Sequence, residues 1–156
     1  MRKSRAKKRD IVPDPRFNDV LVAKFINNMM IQGKKETARK IFYDAIDIVD
    51  EKIEEEAGIE TWKKALNNVM PSVMVKSRRV GGATFQIPME VKPDLKISFG
   101  VKWMINYSRK RNEKSMANKL AGEILAAAKG EGAAVKKKED THKMADANKA
   151  FSHFRA

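Results

Sequence analysis

Residues 76–87 read KSRRVGGATFQI, with Lys76, Arg78 and Arg79 ahead of a glycine pair, Phe85 and Ile87 behind it, and no acid among them. These side chains make no nucleophile or proton relay, but they are equipped to hold a polyanion. Arginine binds phosphate bidentately and stacks on bases, and Phe85 adds an aromatic face. A flexible linker would not need Phe85 and Ile87, and a core strand pair would not carry three bases. Folded RNA with splayed single strands suits this equipment better than duplex DNA.

Catalytic candidates are few. His142 and His153 are the only two histidines, they stand eleven residues apart, and no ligand pattern for a metal flanks them. They read as surface or packing residues. With no cysteine in the chain there is no disulfide, thiolate metal site or Cys nucleophile, in keeping with a cytoplasmic protein. Val80-Gly81-Gly82-Ala83 lacks the lysine and the following helix that a phosphate-cradling loop requires. An RNA-modifying enzyme would need a cofactor fingerprint or an acid/base pair, and neither is visible. The expectation is therefore a binding protein, with no enzyme activity, metal or cofactor.

Charge supports that class. The net charge of +13 is segregated. Arg2, Lys3, Arg5, Lys7, Lys8 and Arg9 crowd the first ten residues, and residues 76–119 hold eleven bases against Glu90, Asp94 and Glu113. Residues 44–60 reverse the sign, with eight acids against Lys52 alone. A merely soluble surface mixes its signs, so the pattern suggests one face for a polyanion and another for water or a basic neighbour. The competing reading is that these are only solvated faces. No apolar run is long enough to span a bilayer, and the basic N-terminus lacks the apolar stretch of a secretory signal.

The elements that would position these residues are mainly helical. Residues 1–16 read as an extended basic arm broken by Pro13-Asp14-Pro15. Asn18 or Asp19 can cap a first helix with Val20, Leu21, Ala23, Ile26 and Met30 on its stripe, stopped by Gly33. The second runs from about Glu36 through Ala38, Ile41, Phe42, Ala45, Ile48 and Val49 into the acidic run, closed by Gly58. The third carries Trp62, Ala65, Leu66, Val69 and Met70 and ends at Pro71. Phe42, Trp62 and Phe99 are expected in the core, while Trp103 lies off the main stripe of its helix.

From Val73 to Val91 the period changes to that of a strand. If Gly81-Gly82 form the loop of a hairpin, Val80 opposes Ala83, Arg78 opposes Phe85, Lys76 opposes Ile87 and Met74 opposes Met89. A leg of eight residues would reach roughly 25 Å, clear of a small bundle. Two strands alone are marginal in water, so such a ribbon depends on what it touches. Helices resume after Pro93 with Ile97, Val101, Met104, Ile105 and Ser108. Another follows a Ser115 cap with Ala117, Leu120, Ala121, Ile124, Leu125 and Ala128. A last helix is expected from Ala134 to about Lys149.

Ser77-Arg78-Arg79-Val80-Gly81-Gly82-Ala83, continued by Gln86-Ile87-Pro88-Met89-Glu90-Val91, resembles the hairpin of bacterial small-subunit ribosomal protein seven. Asp19-Val20-Leu21-Val22, Phe25-Ile26-Asn27, Gly33-Lys34-Lys35, Ile41-Phe42-Tyr43-Asp44-Ala45 and Gly132-Ala133-Ala134-Val135-Lys136-Lys137-Lys138-Glu139-Asp140 match in the same order. The resemblance implies a mainly α fold: a bundle of six helices, a protruding two-stranded β-hairpin between helices three and four, and a basic N-terminal arm. It implies one rRNA-binding domain over 1–156, comprising the arm (1–16), the hairpin (73–91) and a C-terminal helix and tail (134–156).

It further implies a structural constituent of the small subunit that binds the 3′ major domain of 16S rRNA and nucleates assembly of the head. Such a protein lines the exit tRNA site beside ribosomal proteins nine and eleven, with messenger RNA a further candidate partner. It needs no membrane and is no obligate homo-oligomer. The rRNA contacts fall on Arg2, Lys3, Arg5, Lys7, Lys8, Arg9, Lys34, Lys35, Lys76, Arg78, Arg79, Arg109, Lys110, Arg111, Lys114 and Lys119. The exit-site tip comprises Arg79, Val80, Gly81, Gly82, Ala83 and Phe85, and Lys136, Lys137 and Lys138 face tRNA or a neighbour. The alternative reading is a basic helical module acting on RNA or DNA outside the ribosome.

Overall fold

A computed structural model of the chain describes residues 9–53 and 56–154. Among them are six helices, α1 (Val20–Met29), α2 (Lys35–Lys52), α3 (Gly58–Val69), α4 (Pro93–Arg109), α5 (Met116–Ala128) and α6 (Ala133–Ala147). Strands β1 (Val73–Val80) and β2 (Ala83–Glu90) form the expected hairpin between α3 and α4, and a 3-10 turn, Lys149–Phe154, follows α6. The chain divides into two compact units, residues 1–40 and 41–156, with the boundary inside α2.

In the first unit the first half of the expected arm lies outside the described residues, which begin at Arg9. After the Pro13-Asp14-Pro15 break the chain enters a turn. Buried Asp14 accepts from the backbone N–H groups of Arg16 and Phe17 at 3.1 and 3.3 Å, and Asn18 donates back to the Asp14 carbonyl at 2.7 Å. Asp19 caps α1 through the Leu21 N–H at 2.7 Å. The buried face of α1 is Val22, Ala23, Phe25, Ile26 and Met29, rotated from the expected stripe. Phe25 and Val22 fix that phase, and Val20 is left 40% exposed.

In the second unit Phe42, Ala45, Ile46 and Val49 of α2 are buried, and the Phe42 ring meets Trp62 of α3 edge-on at 5.3 Å. α3 lies against α5 and α4, and α6 lies across α3, α4, α5 and the hairpin. Leu120, Ala121 and Ile124 of α5 are fully buried, while Leu125 and Ala128 are only half-buried. Phe99, expected in the core, is half-buried and tilts against Trp103 at 5.9 Å. Its helix already buries Gly100, Val101, Met104, Ile105 and Ser108 on another face.

Gly58 does not close α2. That helix ends at Lys52, and Gly58 is the first residue of α3, donating its N–H to the Asp50 carboxylate. A Cβ on Gly58 would stand 2.9 Å from the Ile46 carbonyl oxygen, so only glycine lets the two helices come this close.

Candidate nucleic-acid interface

The hairpin register is the expected one: Val80 pairs with Ala83, Arg78 with Phe85, Lys76 with Ile87 and Met74 with Met89. The two-residue loop needs left-handed backbone at both positions, and Gly81 and Gly82 supply it with φ of 56° and 88°. Lys76, Arg78 and Arg79 are exposed along β1, as are Gly81, Gly82, Ala83 and Thr84 around the tip. Directly paired residues share a face and neighbours alternate, so Arg78 lies on the Phe85 face and Arg79 on the other.

The ribbon does not stand clear of the helices as the strand length alone suggested. β1 runs against α6, and β2 against the 3-10 turn. At the base the Ser72 N–H donates to His142 Nε2 at 3.1 Å, and the Val91 N–H donates to the Ser72 carbonyl at 3.0 Å. His142 is thus a packing residue. Higher up, Ile87 is 2% exposed and the Phe85 ring lies 5.2 Å from Phe151. Phe85 therefore has an intramolecular partner. A bare two-stranded ribbon would be marginal, and α6 with the turn supplies the missing support.

A second set of bases gathers where α4 gives way to α5. Arg109, Lys110 and Lys114 are exposed, Lys110 Nζ sits 5.2 Å above the Tyr107 ring, and Lys119 Nζ is 3.5 Å from the Arg109 carbonyl oxygen. Arg111 departs from this group. Its guanidinium turns inward, with Nε donating to Glu113 at 2.8 Å and Nη1 to Glu123 at 3.1 Å. The hydrogen bond to Glu113 raises Arg111 above its ordinary range, and Arg111 in return holds the Glu113 carboxyl below the usual carboxylate value. Arg111 is thus committed to carboxylates of its own chain.

Glu123 is the residue that sequence reasoning missed. It is fully buried, and its second oxygen accepts from the Ala134 N–H at 2.9 Å, in the first turn of α6. A carboxylate there satisfies an orphan donor and complements the helix dipole. The signal was present: Glu123 is the one acid in α5 and interrupts its apolar stripe.

Among the remaining expected contacts, Lys136 is exposed while Lys137 and Lys138 are half-buried. Lys138 Nζ donates to the Asn68 carbonyl at 2.9 Å, tying α6 to α3. Lys34 and Lys35 are exposed in the first unit, beside a turn shaped by Gln32 and Gly33 with φ of 54° and 75°. Arg9 is exposed, and Arg2, Lys3, Arg5, Lys7 and Lys8 lie outside the described residues. No cluster able to hold a metal ion occurs among the described residues, and no helix among them is long and apolar enough to cross a membrane.

The chain matches, over residues 1–149, the family described as ribosomal protein S7p/S5e. It is 70% identical over 157 residues to the small ribosomal subunit protein uS7 of Christiangramia forsetii, with 99% of each chain covered. It is similar to the proteins of the same description from Flavobacterium psychrophilum, at 69% identity, and Cytophaga hutchinsonii, at 63%, again with 99% of each chain covered.

Proposed function

Since the chain belongs to the ribosomal protein S7p/S5e family, we propose that it works as a structural, non-enzymatic constituent of the small ribosomal subunit, in the cytoplasm. In that role it binds the 3′ major domain of 16S rRNA and nucleates assembly of the subunit head. The observation that carries this reading is the alignment of near-full-length relatives named for the small subunit with a chain whose bases are exposed on a braced ribbon. Lys76, Arg78 and Arg79 grip phosphates and bases along β1, and Arg109, Lys110, Lys114 and Lys119 form a second phosphate contact. Lys34, Lys35 and the bases of residues 2–9 extend the contact along the RNA.

The loop from Arg79 to Ala83 faces the exit-site tRNA, with Phe85 behind it against Phe151 rather than at the RNA. Lys136 and Lys137 face tRNA, messenger RNA or the neighbouring proteins nine and eleven. Folded as one rRNA-binding protein, the chain needs no second copy of itself.

The test is binding of the full chain to separate transcripts of the 5′, central and 3′ major domains of 16S rRNA at increasing salt. Selective binding to the 3′ major domain, with a steep fall in affinity as salt rises, is expected. Equal affinity for all three transcripts would overturn the reading.

A further inference from the structure

We infer that Phe151 is a positioning residue for RNA recognition: the C-terminal 3-10 turn braces the hairpin and presets the pose in which β1 offers its bases. This rests on the RNA-binding reading above.

The ribbon lies against α6 and the 3-10 turn, with named contacts at two heights. At its base, Ser72 is held by His142 of α6 at 3.1 Å. Five residues up from Glu90, a rise of about 17 Å, Phe85 meets the Phe151 ring at 5.2 Å with the planes inclined by 48°. Between those points Ile87 is 2% exposed. Only Arg79 to Thr84 extend beyond the upper contact, so the free tip is short. Without Phe151 the upper contact with the turn is lost, and the bases near the tip gain freedom above the segment that α6 holds.

Preorganisation lowers the ordering cost that binding must otherwise meet. A ribbon competent for only a fraction of the time binds with affinity reduced by that fraction. Phe151 carries no charge, so its loss removes no phosphate contact and leaves the counterion release unchanged.

The experiment compares the full chain with Phe151→Ala and Phe151→Tyr, in wild-type background and in a background where residues 78–85 are replaced by Asn-Gly. Affinity for the 3′ major domain transcript should fall roughly fivefold in Phe151→Ala, as expected for loss of one aromatic pair. The slope of log affinity against log salt should not change, and Phe151→Tyr should restore binding. In the shortened background Phe151→Ala should have no further effect. A fall of the same size in that background would mean that Phe151 touches RNA itself, and would overturn the inference. So would a Phe151→Ala protein that binds as wild type.

Amide exchange of residues 76–87 in the free protein tests the brace without RNA. Exchange should accelerate at least fivefold in Phe151→Ala while α5 is unaffected, and unchanged ribbon exchange would also overturn the inference. If the wild-type chain proved indifferent to the transcript, the RNA-binding reading would fail, and the exchange result would still decide the brace.

Discussion

Glu123 and Ala134 join two helices through one hydrogen bond: the buried carboxylate of α5 accepts the backbone N–H of the first turn of α6 at 2.9 Å. Its other oxygen takes Arg111 Nη1 at 3.1 Å, so one side chain ties the α4–α5 connection to both helices. Because α6 in turn supports the ribbon, Glu123 contributes to the posture of the candidate interface without touching it. Removing a carboxylate so placed leaves a buried donor unmet and an arginine with half its partners. Glu123→Ala should lower unfolding free energy by about 2–4 kcal/mol, measured by urea denaturation. Glu123→Gln, which keeps an acceptor for Ala134, should cost clearly less. Equal losses for the two would show that the charge, rather than the cap, carries the contribution.

The partner carboxylate gives a prediction in pH. Arg111 holds Glu113 below its ordinary carboxyl value of 4.5, so the folded state favours the ionised form. A depressed folded value contributes stability that is complete above the unfolded value and is lost as pH falls through the folded one. Thermal scans from neutral to acidic pH should show the difference between wild type and Glu113→Gln shrinking across that acidic window. A difference that stays constant would separate the pair from the acid limb. The side chain is 33% exposed, so solvent screens the pair and the effect is small.

Asp50 and Gly58 set the approach of α2 to α3. The Gly58 N–H donates to the Asp50 carboxylate, and a Cβ at Gly58 would stand 2.9 Å from the backbone oxygen of Ile46. Asp50→Ala should cost about 1 kcal/mol, the usual net contribution of one hydrogen bond. Gly58→Ala should cost about 1–3 kcal/mol, because the clash is with backbone that must move. Chemical denaturation of both variants checks the pair, and a neutral Gly58→Ala would show that the two helices separate freely.

These contacts mark where the sequence was legible. Regular periodicities carried the helices, and the β-branched run with two glycines carried the hairpin to the correct register, since a tight loop leaves only one. Asp50 illustrates what was hidden. In the sequence it is one acid in an acidic run, and it read as solvated; its partner is eight residues on, across a helix break. Arg111 read as a surface base because Arg109 and Lys110 beside it are, yet Glu123 lies one helix away. Phe85 read as a ring for RNA because strand rise gives a length and not a direction, and its partner Phe151 stands far off in the chain. Long-range partners chosen by tertiary packing leave no local periodicity. Only the lone acid in the apolar stripe of α5 gave notice.

The inward turn of Arg111 separates two kinds of arginine, and salt dependence can read the difference. A base that neutralises an RNA phosphate releases counterions, so removing it flattens the plot of log affinity against log salt by roughly one unit. Lys76, Arg78 and Arg79 are exposed on β1, and their replacement by glutamine together should lower the slope by about two to three units. Arg111 donates to Glu113 and Glu123 at 2.8 and 3.1 Å, so its charge is already balanced within the chain. Arg111→Gln should therefore lower the melting temperature and leave the slope for the 3′ major domain transcript unchanged. Arg109→Gln, two residues away and exposed, should do the opposite, flattening the slope by about one unit with little loss of stability. Filter binding at five salt concentrations, paired with thermal scans of the same preparations, distinguishes the cases. A slope that falls equally for Arg109→Gln and Arg111→Gln would mean that Arg111 leaves its carboxylates when RNA arrives, and that the pair is a reserve of charge rather than a strut.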